Sequence, residues 1–393
     1  MPDREVSEPG ALSEQRERSD PTDGNLMTES YGTLDPYLRT VIDLGGTDLL
    51  LTGGSEPLVR LDGTLRPVTE MGVVDEATMA ELLAAVLVGD QRQQFIEDRD
   101  IDFALSFDDS RFRGNAFFQR GRPAIALRLM HNVIPSFDEI GLPHAVRALG
   151  ALHQGLVLFT GPTGSGKSTS MATLIDSVNA TRPCHIITIE DPIEYLHRNR
   201  QAVVHQREVG FDAKTFDRAL RSALREDPDV VLVGEMRDLE SIAITLTLAE
   251  TGHLVLSSLH TNDAPQALDR IVDVFPAERQ AQVRLQLASV LSGVVAQRLV
   301  PRVGGGLVAA YEVLMATSAV SNLIREGKTR QLRNAMQMGM AAGNQTLEMS
   351  LNTLVAQGLV TLDDAIATAF VPQDIEGSGI SGLAVDPSYA AGV

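Results

Sequence analysis

The chain of 393 residues has one cysteine, Cys184, and no tryptophan. A single thiol excludes an intrachain disulfide and any cysteine-rich zinc site. It makes a reducing compartment the simplest setting. Basic residues are also scarce: 33 Lys and Arg face 52 Asp and Glu, for a formal charge of −19. That balance argues against passive nucleic-acid binding, which needs a dense basic face, while leaving room for a local basic groove. No apolar run approaches the ~20 residues of a membrane span. The stretch "MPDREVSEPGALSEQRERSD" lacks the apolar core of a signal peptide. The expectation is a cytoplasmic chain with no direct membrane insertion.

What is present reads as a soluble globular protein, 44% apolar and 22% charged, long enough for two domains. Residues 1–33 are polar and without period, and are expected to form a disordered acidic tail; 371–393, rich in small residues, should form a flexible one. Between them two rhythms alternate. Residues 34–140 mix few helices with short strands such as "DLLLTG", "IDFALSF", "RFRGNAFFQ" and "AIALRLM", the pattern of a small α+β domain. Residues 141–370 begin with apolar strands separated by amphipathic helices, which argues for a parallel sheet covered on both faces. From about Asn262 the chain reads as mostly helical, with one short strand near "GLVAAYEVL".

"GPTGSGKST", Gly161 to Thr169, fits the G-x-x-x-x-G-K-[ST] phosphate loop in full. It follows an apolar strand and opens a helix, the context the motif requires. Its residues Gly161, Pro162, Thr163, Gly164, Ser165, Gly166, Lys167, Ser168 and Thr169 are the candidate nucleotide cradle. Glycines let main-chain amides turn toward phosphate oxygens, and the helix start adds its positive end. Lys167 is placed to meet the β- and γ-phosphates and Ser168 to ligate Mg²⁺. Acids follow two other strands: Glu190, Asp191 and Glu194 in "ITIEDPIEY", and Glu235, two residues before Arg237, in "DVVLVGEMRD". Ligands of such sheets bind beyond the carboxyl ends of strands, where an acid can hold Mg²⁺ or orient water. No guanine-reading "NKxD" stretch occurs, which favours ATP over GTP.

Taken together, "TGPTGSGKST", "TIEDPIEY", "QREVG", "ALRSALREDPDVVLVGEMRD" and "TGHLVLSSLHT" resemble the hexameric type II/type IV secretion ATPases, and among them the PilT-like pilus retraction ATPases. The resemblance implies a PAS-like N-terminal domain packed on a RecA-like ATPase domain with a helical C-terminal part. It implies that Glu194 polarises the attacking water, Glu235 acts near Mg²⁺, and His260 senses the γ-phosphate, with a less direct role for His253. Arg111, Arg113 and Arg128 match basic positions that approach phosphate at interdomain or intersubunit contacts; pairing with the chain's many acids is the plainer reading of the same three. The implied partners are five further copies of the chain, an inner-membrane platform protein and, indirectly, pilins. The lack of a four-cysteine zinc insert and of a longer N-terminal domain points to the retraction type. So does "AVSNLIREGK", although Ser321 replaces an arginine. Leu49 stands where the family has histidine, and Gln154 where basic residues are frequent. A non-retracting regulator, an assembly ATPase and, from another class, a nucleic-acid translocase are the competing readings.

His253 and His260 flank one apolar strand. An odd spacing puts them on opposite faces, and at ~3.3 Å per residue they lie roughly 23 Å apart, too far to share a metal. His260, at the carboxyl end, is the candidate phosphate sensor; His253, at the other end, suits a structural or subunit-contact role.

Overall fold

In a computed structural model, residues 30–61, 63–108, 110–130 and 133–378 are described. The expected tails lie mostly outside them. Where they overlap, the chain is packed: Tyr31 leans on the first core, and Ile375 is 2% exposed in a C-terminal cluster with Val300, Leu351 and Val360. The flexible tail expected from 371 therefore does not begin there.

The first unit is a six-stranded antiparallel sheet: β1 (Asp48–Thr52), β2 (Leu58–Leu61), β3 (Thr64–Pro67), β4 (Asp100–Phe107), β5 (Ser110–Gln119) and β6 (Arg122–Leu129), in the order β3-β2-β1-β6-β5-β4. Strict alternation along β4 sends Ile101, Phe103, Leu105 and Phe107 inward. They meet Leu38 and Val41 of helix Asp35–Asp43 and Met79 and Leu82 of helix Glu76–Val86. That second helix starts at Asp75, whose carboxylate accepts from Thr78 N. Leu49 is 1% exposed in this core. Phe103 lies across from Gly114, and a Cβ there would come within 2.2 Å of its ring.

The second unit is a seven-stranded sheet: β7 (Gly155–Thr160), β8 (His185–Glu190), β9 (Val203–Glu208), β10 (Val230–Val233), β11 (Leu254–Leu259), β12 (Leu291–Pro301) and β13 (Leu307–Met315), in the order β13-β12-β7-β11-β10-β8-β9. All neighbours pair parallel except β12 with β13. Successive residues of β7 serve opposite cores: Leu156 and Leu158 face helices Leu239–Glu250, Ala264–Asp273 and Ala277–Val290, while Val157 and Phe159 face helix Lys167–Thr181. Burial on both faces explains the nearly unbroken apolar runs of these strands.

Two features depart from the sequence reading. The stretch after Asn262 holds two strands, not one, and the sheet is mixed rather than wholly parallel. β12 was hidden because helix Ala277–Val290 passes into it at Leu291 with no Gly, Pro or Asn between them. Phe137 and Ile140, assigned to the first domain by a boundary at 140, pack on the second core, and Pro135 O accepts from Thr173. The junction falls between β6 and Pro135.

Replacing Gly114 with Val should overpack the β4–β5 contact and cost about 1–3 kcal/mol. Urea unfolding checks this; an unchanged midpoint would mean that the Phe103 ring moves aside freely.

Candidate nucleotide site

β7 runs straight into the glycine-rich loop. Gly161, Gly164 and Gly166 hold φ of +144°, +77° and +86°, a region that L side chains rarely adopt. Two of them are also pressed against β12. A Cβ on Gly161 would lie 2.4 Å from the Gln297 carbonyl oxygen, and one on Gly166 2.7 Å from Gln297 Nε2. The Gln297 side chain is held in turn by Ser170 Oγ, which donates to its Oε1 at 2.8 Å. Helix Lys167–Thr181 begins directly after Gly166, so its unpaired first N–H groups and positive end are presented to the loop.

Lys167 is 7% exposed. Its ammonium donates to the carbonyls of Gly161 at 2.8 Å and Pro162 at 3.0 Å. Burial pushes its pKa below the ordinary value, against the pull of Glu235 and Glu194. Ser165 Oγ is buried with no hydrogen-bond partner among the described residues, a polar atom inside a cradle of main-chain donors. This donor set fits a chain of phosphates.

Opposite the loop, three parallel strand ends meet in one line of charges. His260 Nε2, after β11, lies 3.2 Å from Glu235 Oε1, after β10. Glu235 Oε2 lies 3.1 Å from Arg237 Nε, whose Nη1 reaches Asp191 Oδ2, after β8, at 3.2 Å. Glu194 stands exposed at the rim of the same cleft, whose walls also include Ser168, Tyr195 and His197. The Tyr195 hydroxyl lies 2.9 Å from Thr169 Oγ1, which ties this wall of the cleft to the helix start. Ser168 and Glu235 offer oxygen donors of the kind Mg²⁺ takes.

Glu190 sits beneath this line. Burial pushes its carboxyl up to about 7, even though Thr188 Oγ1 and Gln206 Nε2 donate to it and oppose the shift. Burial likewise pushes His197 down to about 4, and its Nδ1 is unpartnered among the described residues.

His253 lies at the far end of β11, its Nδ1 2.9 Å from the Leu248 carbonyl and 3.1 Å from Thr251 Oγ1, where it ties the end of helix Leu239–Glu250. The three arginines do not line the cleft. Arg111 Nη2 pairs with Glu208 Oε2 at 2.8 Å, Arg128 Nε with Asp48 Oδ1 at 2.8 Å, and Arg113 Nη2 with Asp102 Oδ2 at 3.7 Å. Each thus makes an acid pairing of the kind the plainer reading anticipated. Sequence reasoning missed Tyr195, His197 and Gln206, which sit inside or beside the acidic segments, and Gln297, which carries no local signal at all.

A strand, a glycine loop and a helix start, with acids and a histidine at the ends of adjacent parallel strands, define the P-loop nucleotide-binding class on a RecA-like sheet. A sequence model of the family "Type II/IV secretion system protein" matches residues 59–307. The chain is 44% identical over 331 residues to the type IV pilus retraction ATPase PilT of Pseudomonas aeruginosa, covering 84% of this chain and 96% of that protein. It is 41% identical over 343 residues to the type IV pilus ATPase PilU of the same organism, covering 87% and 90%. A crystal structure of the pilus retraction motor PilT with bound ADP superposes with a TM-score of 0.81 at 45% identity, covering 88% of this chain and 99% of that one. The chain belongs to the type II/IV secretion system protein family.

The raised Glu190 carboxyl generates a pH dependence. The folded state holds it neutral to about 7, whereas the ordinary value is 4.5. The stability it contributes is present below 4.5 and lost as pH rises through about 7. Glu190→Gln should match wild type near the bottom of that window and gain on it above the top. Thermal unfolding at both ends checks this, and a pH-independent difference would contradict it.

Proposed function

We propose that the protein is an ATP-hydrolysing motor that powers disassembly of type IV pili, and so twitching motility. The observation that carries this reading is the convergence of Lys167, Glu194, Glu235 and His260 on one cleft in a chain that spans nearly the whole of a pilus retraction ATPase.

The amides of Gly161–Thr169 receive the phosphates of ATP. Lys167 exchanges its two loop carbonyls for β- and γ-phosphate oxygens, and its partial burial makes that charge count for more than it would in water. Glu194 polarises the attacking water from the rim. His260 donates to the γ-phosphate from a ring oriented by Glu235, and Arg237 steadies that carboxylate from its other side. Ser168 and Glu235 would hold Mg²⁺, which would supply neutralisation of the phosphate charge. A second depression on the other flank of the helix start, walled by Leu299, Leu307 and Tyr311, suits a planar base.

Arg113 and Arg128 stand directly across from one another in the register of β5 and β6, with Asp48 next in the row. Like charges opposed across a sheet are unfavourable unless an anion joins them. This supports their meeting a phosphate when the N-terminal sheet closes on a cleft of its own or of a neighbouring subunit. The proposed assembly is a homohexamer, acting from the cytoplasmic face on an inner-membrane platform protein and, through it, on pilins. Among the described residues no helix is long and apolar enough to cross a membrane. The proposed division is an N-terminal PAS-like domain from 34, then a RecA-like domain whose helical C-terminal part runs past 370, with the tails beyond them.

Lys167→Ala and Glu235→Ala should each lower phosphate release from ATP by at least about 100-fold; turnover near wild type in either would sink the motor reading. Deletion of the gene should leave cells hyperpiliated and immobile. Bald cells would instead assign the protein to pilus assembly.

A further inference from the structure

Glu208 has no part in the chemistry above, yet its position is unusual. It ends β9, pairs in register with Glu190, and is 3% exposed. Its main chain is pinned from its own side: Glu208 N donates to Asp212 Oδ2 at 2.8 Å, and its carbonyl accepts from Asp212 N at 2.8 Å. The turn therefore fixes the point from which the side chain extends, and one carboxylate oxygen, Oε2, serves two other parts of the molecule. Arg111 Nη2 on β5 donates to it at 2.8 Å, and Ile193 N donates to it at 3.3 Å.

Arg111 belongs to the N-terminal sheet, and Ile193 immediately precedes Glu194. The Ile193 side chain is itself 4% exposed, so the loop is anchored at this residue on both its main-chain and apolar sides. A buried carboxylate is stable only while paired. If the N-terminal domain draws Arg111 away, a single neutral N–H remains to hold that charge, and the Glu208 side chain must seek water or another cation. Either movement removes the acceptor from Ile193 N and frees the residue beside it.

We propose that Glu208 is a positioning residue that ties the Glu194 loop to the N-terminal domain through Arg111, so that the competence of the cleft follows the docking of the two domains. The inference rests on the reading of Glu194 as the residue that polarises water. It gives Arg111 a duty separate from phosphate contact.

A double-mutant cycle tests it in the full-length protein. Glu208→Gln keeps an acceptor for Ile193 N and removes the charge pair; Arg111→Met removes the other side. Each should lower kcat about tenfold, the scale of coupling through a packed network, with KM for ATP held within about twofold. The double variant should be no slower than the slower single one, and Arg111→Lys should recover part of the loss. Independent effects that multiply would overturn the proposal.

Amide exchange in the peptide covering residues 191–196 supplies a readout that needs no hydrolysis. It should quicken in both single variants while circular dichroism is unchanged. Quickened exchange in a protein that hydrolyses no ATP would uphold the tie and refute the ATPase reading. Normal wild-type turnover with exchange unaltered in Arg111→Met would overturn the tie and return Arg111 to phosphate contact.

Discussion

The site depends on the parallel pairing of β7, β11, β10 and β8 side by side. Parallel strands point their carboxyl ends the same way, so the loops that leave them share one edge of the sheet. The phosphate loop leaves β7, His260 leaves β11, Glu235 leaves β10, and Asp191 with Glu194 leaves β8. Antiparallel insertion of any one strand would send its chemistry to the opposite edge. The one antiparallel pairing, β12 with β13, lies on the outer side of β7, where it does not divide these strands.

Electrostatics within the cleft are arranged by sharing. A chain of net charge −19 gathers acids at this edge, and bare neighbouring carboxylates would repel and resist ionisation. Arg237 bridges Asp191 and Glu235, and His260 sits on the other oxygen of Glu235. Glu190, half-buried in the cleft wall with no cation paired to it among the described residues, is instead pushed up to about 7. Lys167 balances its own burial with two loop carbonyls.

The N-terminal sheet is more than a cover. Its apolar face makes a core of its own, and its polar face carries Arg60, Asp48, Arg128 and Arg113 in register. Arg111, two residues before Arg113 and on the same face, crosses to Glu208 of the second unit. A half-buried ion pair of this sort contributes little net stability but is costly to break one-sidedly. It therefore specifies how the two units meet more than how firmly they fold.

Much of this was legible in the amino-acid order. The phosphate loop is a local device: its glycine φ angles, helix start and lysine all arise within nine consecutive residues, so the motif by itself determined the cradle. Burial on both faces made the central strands readable as apolar runs, and alternation revealed β4, β5 and β6. β12 escaped because helix Ala277–Val290 hands over to it at Leu291 without a breaker residue to mark where one period ends and the other begins. Only the tertiary structure decided that His260 would stand 3.2 Å from Glu235, that Gln297 would back the glycine loop, and that Arg111 would be bound to Glu208 rather than facing the cleft. The physical reason is the same in each case. These contacts are fixed by the order of strands in a sheet and the docking of two domains, and neither is encoded in the spacing of residues along the chain.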